Sequence, residues 1–301
     1  MKNNILQLIS TVLFSVFLFS CEEEDLINGG SKNTTTGTAT PVTGTTPTTT
    51  TPTTGTTPTT TTPAATKCYI KEISSVENGV TSKEVYTFNA KNLLEKVDND
   101  GAISTYTYDA NNRVSKLAMV DGAATETFAY TYDSKGNITN VKYTAKNTPI
   151  DLLITEYNFT TNATGQVTKV VAVSKDGNLD FSLEYDTKNN LKKLSVNANG
   201  VKNTLIDNLT FDDKINTYQN AELSKIHIPL VVIGAFFGKN LSYFINTNNI
   251  LSDKATGLFG DSATIYSYSY TKEGQPAKIN YTRTEGKDQI KGSSTYTYVC
   301  K

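Results

Sequence analysis

Few residues in this 301-residue chain are of types that could do chemistry, and those few are scattered. His227 is the single histidine and sits between Ile226 and Ile228. Use as a general base would require a serine or cysteine nucleophile within reach and an acid to orient the ring. No motif places them, so His227 reads as a core or rim residue. Paired carboxylates for glycoside hydrolysis would have to face each other across a cleft. Here Asp109, Asp133 and Asp186 each follow an aromatic residue at the same step of a repeated pattern, and one turn-forming role accounts for all three. Asp98-Asn99-Asp100-Gly101 opens like a calcium loop, but it lacks the later acidic ligand and its Asp-Gly pair is a turn former. Cys21, Cys68 and Cys300 form no Cys-x-x-Cys, and with one histidine they leave no expected metal centre. No glycine-rich phosphate loop stands at a strand-to-helix junction. The expectation is a chain without catalytic residues, metal or cofactor.

A formal net charge of −1 with no basic stripe excludes an electrostatic pull toward nucleic acid. The chain holds 17 Tyr and 12 Phe but no Trp, and threonine is abundant, which is a β-rich composition. Tyrosine-rich faces suit protein or glycan ligands, although tryptophan, the usual platform for stacking sugars, is missing.

The elements that must position these residues come from one recurring unit. Aromatic anchors stand at Phe88, Tyr108, Tyr132, Phe159, Tyr185, Phe211, Tyr270 and Tyr298. Two residues earlier come Tyr86, Tyr106, Tyr130, Tyr157, Leu183, Leu209, Tyr268 and Tyr296. That spacing puts each pair on one face of a strand. After the anchor follow Asn89, Asp109, Asp133 or Asp186, then turn residues, then an apolar residue six places on (Leu94, Val114, Ile138, Leu191) and another at nine (Val97, Leu117, Val141, Leu194). Phe159 keeps the pattern with two residues inserted, giving Val167 and Val170. Six and nine differ in parity, so the nine-position is expected in the core and the six-position at the rim. The opposite strand ends are joined by Asn78-Gly79, Asp100-Gly101, Asp121-Gly122, Asp176-Gly177 and Asn199-Gly200, which supply the positive φ of tight hairpins. The result is an all-β antiparallel meander of roughly fifteen strands, past the number at which an open sheet stays open, hence curled into a barrel or half-barrel.

One stretch, about 221–240, is strongly apolar and lacks this hairpin grammar, with Pro229 and Gly234 interrupting any long helix. It reads as a short helix or coil plugging the curled sheet. The other reading is an exposed patch for a partner or a membrane.

Residues 1–20 carry Lys2, an apolar run from Ile5 to Phe19 and a small Ser20, the pattern of a secretory signal. Leu18-Phe19-Ser20-Cys21 resembles the lipobox of bacterial lipoproteins, which implies cleavage before Cys21 and lipidation of it; the other reading is an ordinary signal followed by a structural cysteine. Glu22-Glu23-Glu24-Asp25 resembles the acidic export tag of Bacteroidetes-type lipoproteins, which implies an outer-membrane address on the cell surface; the alternative is a solvated charge run on a protein of the periplasmic face. Segment 21–66 continues as a Thr/Pro-rich linker: between Ser31 and Thr66 stand 21 threonines, five prolines and a single charge. It has no apolar face to bury, so it is expected to stay disordered, reaching on the order of 110 Å when extended and roughly 35 Å when coiled. The β domain occupies 67–301. Cys68 and Cys300 bracket it and, in an oxidising compartment, are candidates for a disulfide, the alternative being two free thiols.

The units Tyr106-Thr-Tyr-Asp109, Tyr130-Thr-Tyr-Asp133 and Glu184-Tyr-Asp186 resemble the tyrosine-aspartate (YD) repeats of RHS-type proteins. With the lipobox and the closing Tyr296-Thr-Tyr-Val-Cys-Lys301, the region from Cys68 resembles a Bacteroidetes lipoprotein family described as having a porin-like β fold. That resemblance implies a barrel-like meander and no activity. Asp261-Ser262-Ala263 resembles the short O-glycosylation sequon of the same bacterial group, making Ser262 a candidate site. Together these readings give a lipid-anchored surface protein acting as a non-catalytic binding or structural module. The alternative is a hydrolase with a site near 221–250.

Overall fold

The computed structural model describes residues 67–300, with the exception of 149–153, 199, 222 and 259. The leader, Cys21, the acidic run and the Thr/Pro-rich stretch lie outside the described residues. Within them sixteen strands follow one another: β1 (Cys68–Glu77), β2 (Val80–Phe88), β3 (Leu94–Asn99), β4 (Ala102–Tyr108), β5 (Val114–Asp121), β6 (Ala124–Tyr132), β7 (Ile138–Lys146), β8 (Glu156–Thr161), β9 (Val167–Ser174), β10 (Gly177–Tyr185), β11 (Leu191–Ala198), β12 (Val201–Ile215), β13 (Asn248–Gly257), β14 (Gly260–Tyr270), β15 (Pro276–Glu285) and β16 (Asp288–Cys300). Each is hydrogen-bonded to its neighbours in sequence, and β16 returns to β1, so the sheet is a closed antiparallel barrel. The curl expected from strand number is complete, which removes both sheet edges. At the seam Cys68 pairs with Cys300 in register, and their sulfurs are bonded.

The long turns explain why the unit repeats. In the turn opened by Asp109, its backbone N–H donates to the Arg113 carbonyl (2.8 Å), and its Oδ1 accepts from the N–H groups of Asn111 and Arg113 (2.9 Å each). Asp133 and Asp186 repeat these bonds, Asn89 and Asn162 do so with an amide oxygen, and Thr271 does so with a hydroxyl. The fourth turn residue always has positive φ and is Asn92, Asn112, Gly136, Gly165, Asn189 or Gly274, residues that tolerate the left-handed region. The anchor tyrosine latches one repeat to the previous one. Tyr108 Oη donates to the Leu94 carbonyl (2.6 Å), Tyr132 to Val114 (2.6 Å) and Tyr298 to Pro276 (2.7 Å).

Four sequence expectations are corrected here. The six-position is not a rim: Leu94, Val114, Ile138, Val167 and Leu191 are all buried, as Leu117, Val141, Val170 and Leu194 are at the nine-position. A β-bulge beside each turn, such as the register shift between Thr107 and Tyr108, adds one residue and turns both positions inward. The Phe159 repeat has no insertion; Thr161 takes the anchor place and Asn162 opens the turn. Two tight turns are displaced by one residue, since Asp121 pairs with Ala124 and Gly177 with Ser174. Leu209 is exposed, because irregular pairing along β12 rotates it outward.

Between β12 and β13 the chain enters the barrel. A 3-10 turn (Thr217–Ala221) leads to helix α1 (Ile228–Phe236), and a second 3-10 turn (Ser242–Phe244) leads out. Helix α1 is apolar on every side, as a helix largely enclosed by other elements must be, and it joins the same core as the strands. Pro229 lies in the first helical turn, where its missing N–H costs nothing. The helix is short, as the sequence suggested, with Gly234 inside its last turn. A side chain there would collide with Leu241 (2.7 Å to Cδ1), so glycine lets the returning chain pack. The helix ends where Lys239 N–H reaches the Gly234 carbonyl (2.8 Å) and Gly238 N–H that of Ala235 (2.9 Å), with Gly238 at φ 78°. Gly238 lies directly against Gly257 of β13.

Buried asparagines hold the insertion in place. Asn208 donates to the Leu191 carbonyl (2.7 Å) and to Ser242 Oγ (2.8 Å), and its own oxygen accepts from Asn240 (2.8 Å). Asn246 accepts from Leu191 N–H (2.6 Å), and Asn190 and Asn248 bond reciprocally. Each such group is satisfied, which is the condition for burying it.

Candidate functional site

Strand alternation sends the core tyrosines inward, and polar residues of the same parity go with them. Outward positions carry threonines and charged residues, including the cross-strand pairs Lys83–Glu72 and Lys169–Asp180 (2.8 Å each). Inward positions include four carboxylates. Glu77 accepts from Tyr281 Oη and pairs with Arg283 (3.3 Å); Glu84 accepts from Tyr86 Oη (2.7 Å) and Glu126 from Tyr143 Oη (2.8 Å). The fourth, Asp253 on β13, is 1% exposed, and neither of its carboxylate oxygens has a hydrogen-bond partner. Burial drives its pKa up to about 6; Tyr266, Asn240 and Arg283 offset that only in part.

Between β2–β5 and the insertion lies a cavity of about 60 Å³. The strands contribute Glu84, Tyr86, Asn99 and Tyr106, while the insertion contributes Tyr218, His227, Tyr243 and Phe244. His227 stacks on Phe244 (ring centroids 4.6 Å apart), and its Nε2 lies 3.3 Å from Tyr106 Oη. Its burial lowers the imidazole pKa to about 4, opposed only weakly by the Leu223 carbonyl, so the ring is neutral at physiological pH. The Glu84 pKa is raised, chiefly by burial and further by Asp100, while the bond from Tyr86 acts in the opposite sense. Asn99 Oδ1 is buried without a partner. Leu94, Leu117, Leu223 and His227 close the deep part; Glu84, Asn99 and Ser104, on the side of the tight turns, are half-buried.

His227 thus comes together with one carboxylate and four tyrosines. Among the described residues no group of three or more His, Cys, Asp or Glu is placed to hold a metal. Asp98 belongs to the β3–β4 hairpin, accepting from Gly101 N–H (3.2 Å) and pairing with Lys96. Asp109, Asp133 and Asp186 make turns at the barrel end, away from the cavity residues. Ser262 is half-buried on β14, of the same parity as Thr264, Tyr266 and Tyr268. The sequence reading missed Glu84, Glu126 and Asp253. The signal was present: each acid stands two residues from an inward-facing apolar or aromatic residue, where a one-sided strand would place neither charge nor amide.

Residues 66–212 match the family model described as Teneurin YD-shell. The match stops in β12, just before the insertion. No curated protein matches the chain. Among solved structures, the chain is similar to a porin-like protein from Bacteroides uniformis (TM-score 0.48, 12% identity, covering 76% of this chain and 98% of that one). It is also similar to a porin-like protein from Bacteroides vulgatus (TM-score 0.45, 9% identity, 77% and 99%). A third similarity is to the Tc holotoxin pore of Photorhabdus luminescens (TM-score 0.32, 13% identity, 68% of this chain and 12% of that one). What the family match adds to the closed barrel is its repeat: residues 66–212 are similar to a YD shell.

Proposed function

We propose that this chain is a lipid-anchored protein of the outer membrane, exposed on the cell surface, whose barrel is a non-catalytic binding or structural module for extracellular protein or glycan ligands. The observation that carries the reading is the filled lumen. The insertion occupies the space a conduit would need, and its helix packs into one core with the strands. A wall bearing Lys83–Glu72 and Lys169–Asp180 on its outward face is also a poor match for lipid, where a lysine costs about 2–4 kcal/mol at mid-depth. What supports the address is the lipobox at Leu18-Phe19-Ser20-Cys21 and the acidic run that follows it.

The test is metabolic labelling with a fatty-acid analogue, followed by protease treatment of intact cells. The wild-type chain incorporates label and is digested; Cys21→Ala incorporates none. Survival of a labelled chain while control surface proteins are lost would overturn the surface address, and labelling of the variant would overturn the anchor. Pull-down with the surface-exposed chain then identifies the ligand.

A further inference from the structure

We propose that the cavity between β2–β5 and the insertion is a binding site for the ammonium group of a small organic cation. The walls are tyrosine and phenylalanine rings (Tyr86, Tyr106, Tyr218, Tyr243, Phe244), whose faces attract cations. The oxygen acceptors are the Glu84 carboxylate, of which one oxygen already takes the Tyr86 hydroxyl, and Asn99 Oδ1, which is buried with no donor. Among the described residues no lysine or arginine lines the cavity, and its one histidine is neutral. An anion would meet an uncompensated carboxylate, and an uncharged apolar ligand would leave Asn99 Oδ1 unpaired, which is costly in a buried site. A bare metal ion would find, among the described residues, a single carboxylate where it needs several charged ligands. An ammonium supplies donors to both oxygens and charge to the rings.

Size admits such a group. The 60 Å³ is the space open to the centre of a water-sized sphere, and about 10–15 Å³ of sphere volume is enough for one water, so the cavity takes a head group at least as large as methylammonium. Entry is from the tight-turn side, where Glu84, Asn99 and Ser104 are half-buried. The inference deepens the binding-module reading by naming a ligand class, yet it rests on the cavity and not on the membrane address. Failure of fatty-acid labelling leaves it standing, and failure of the titration below leaves the address standing.

His227 is the single histidine, so it reports on the site alone if the full chain is purified without a histidine tag. The chain, labelled at the histidine ring, is titrated with methylammonium chloride at constant ionic strength and followed by NMR. The expected result is a saturable shift of the His227 ring signal with a midpoint on the order of 10 mM, the limit for a ligand of two heavy atoms. Sodium chloride and methanol produce no saturable shift. Glu84→Gln weakens the response at least tenfold while the rest of the spectrum is retained. If that variant does not fold, Asn99→Leu, which removes the second acceptor, serves in its place with the same expected loss. Absence of saturation, an equal response to methanol, or unchanged affinity in the folded variant would each overturn the proposal.

Discussion

Replacing Asp253 by asparagine is expected to stabilise the barrel at neutral pH. The wild-type side chain is 1% exposed, and its pKa is about 6 in the fold against 3.8 for a free aspartate. Between those values the folded chain holds a proton that the unfolded chain has released. Stability from this group is therefore highest below about pH 4, falls as pH rises through the window, and is lowest above about pH 6. The difference is worth about 3 kcal/mol at about 1.4 kcal/mol per pH unit. Asparagine keeps the shape and removes the ionisation, so Asp253→Asn should gain 1–3 kcal/mol at about pH 7.5 and little at about pH 4. The assay is denaturant unfolding of both proteins across that range with the disulfide intact, comparing midpoints at equal slope. A variant less stable than wild type at pH 7.5 would refute the reasoning, because it would mean that Tyr266, Asn240 and Arg283 favour the ionised carboxylate more than burial disfavours it.

Tyr132→Phe deletes the bond from one repeat to the Val114 carbonyl and should cost about 1 kcal/mol, read from the same unfolding curves. Gly257→Ala should cost more than about 4 kcal/mol or abolish folding. The new Cβ would lie 2.0 Å from the backbone nitrogen of Gly238, and neither segment can withdraw without unseating α1; circular dichroism and expression yield would show it. Reducing Cys68–Cys300, which spans 232 residues of sequence, should destabilise by roughly 5 kcal/mol on loop entropy, measured as a drop in Tm with and without reductant.

Much of the barrel was legible because its unit is local. A tyrosine, an acid and a turn residue with positive φ specify a hairpin within one short stretch, and the stretch recurs. The bulge was not legible, since it appears in the sequence only as a parity conflict between Val114 and Leu117; the structure resolves that conflict by adding a residue to one strand. The cavity was harder still. Its strand half could be read from Glu84 standing on the inward face with Tyr86, but its other half comes from Tyr218, His227 and Tyr243, more than 100 residues away in sequence. Those residues approach the strands only because the buried asparagines fix the path of the insertion. No periodicity encodes that path.

The in-register pairing of Cys68 with Cys300 also bears on the order of folding. Each hairpin joins residues a few positions apart and can form on the microsecond scale, whereas the seam needs the two ends of the domain to meet. Helix α1, with apolar residues all around, has to leave water as the sheet curls, so its enclosure is expected to precede closure of the seam. The expected order of events is hairpins first, the insertion laid against the curling sheet next, and the seam and its disulfide last. A chain oxidised too early would be locked with its apolar segment outside, so the timing of oxidation relative to enclosure should govern the yield of native protein.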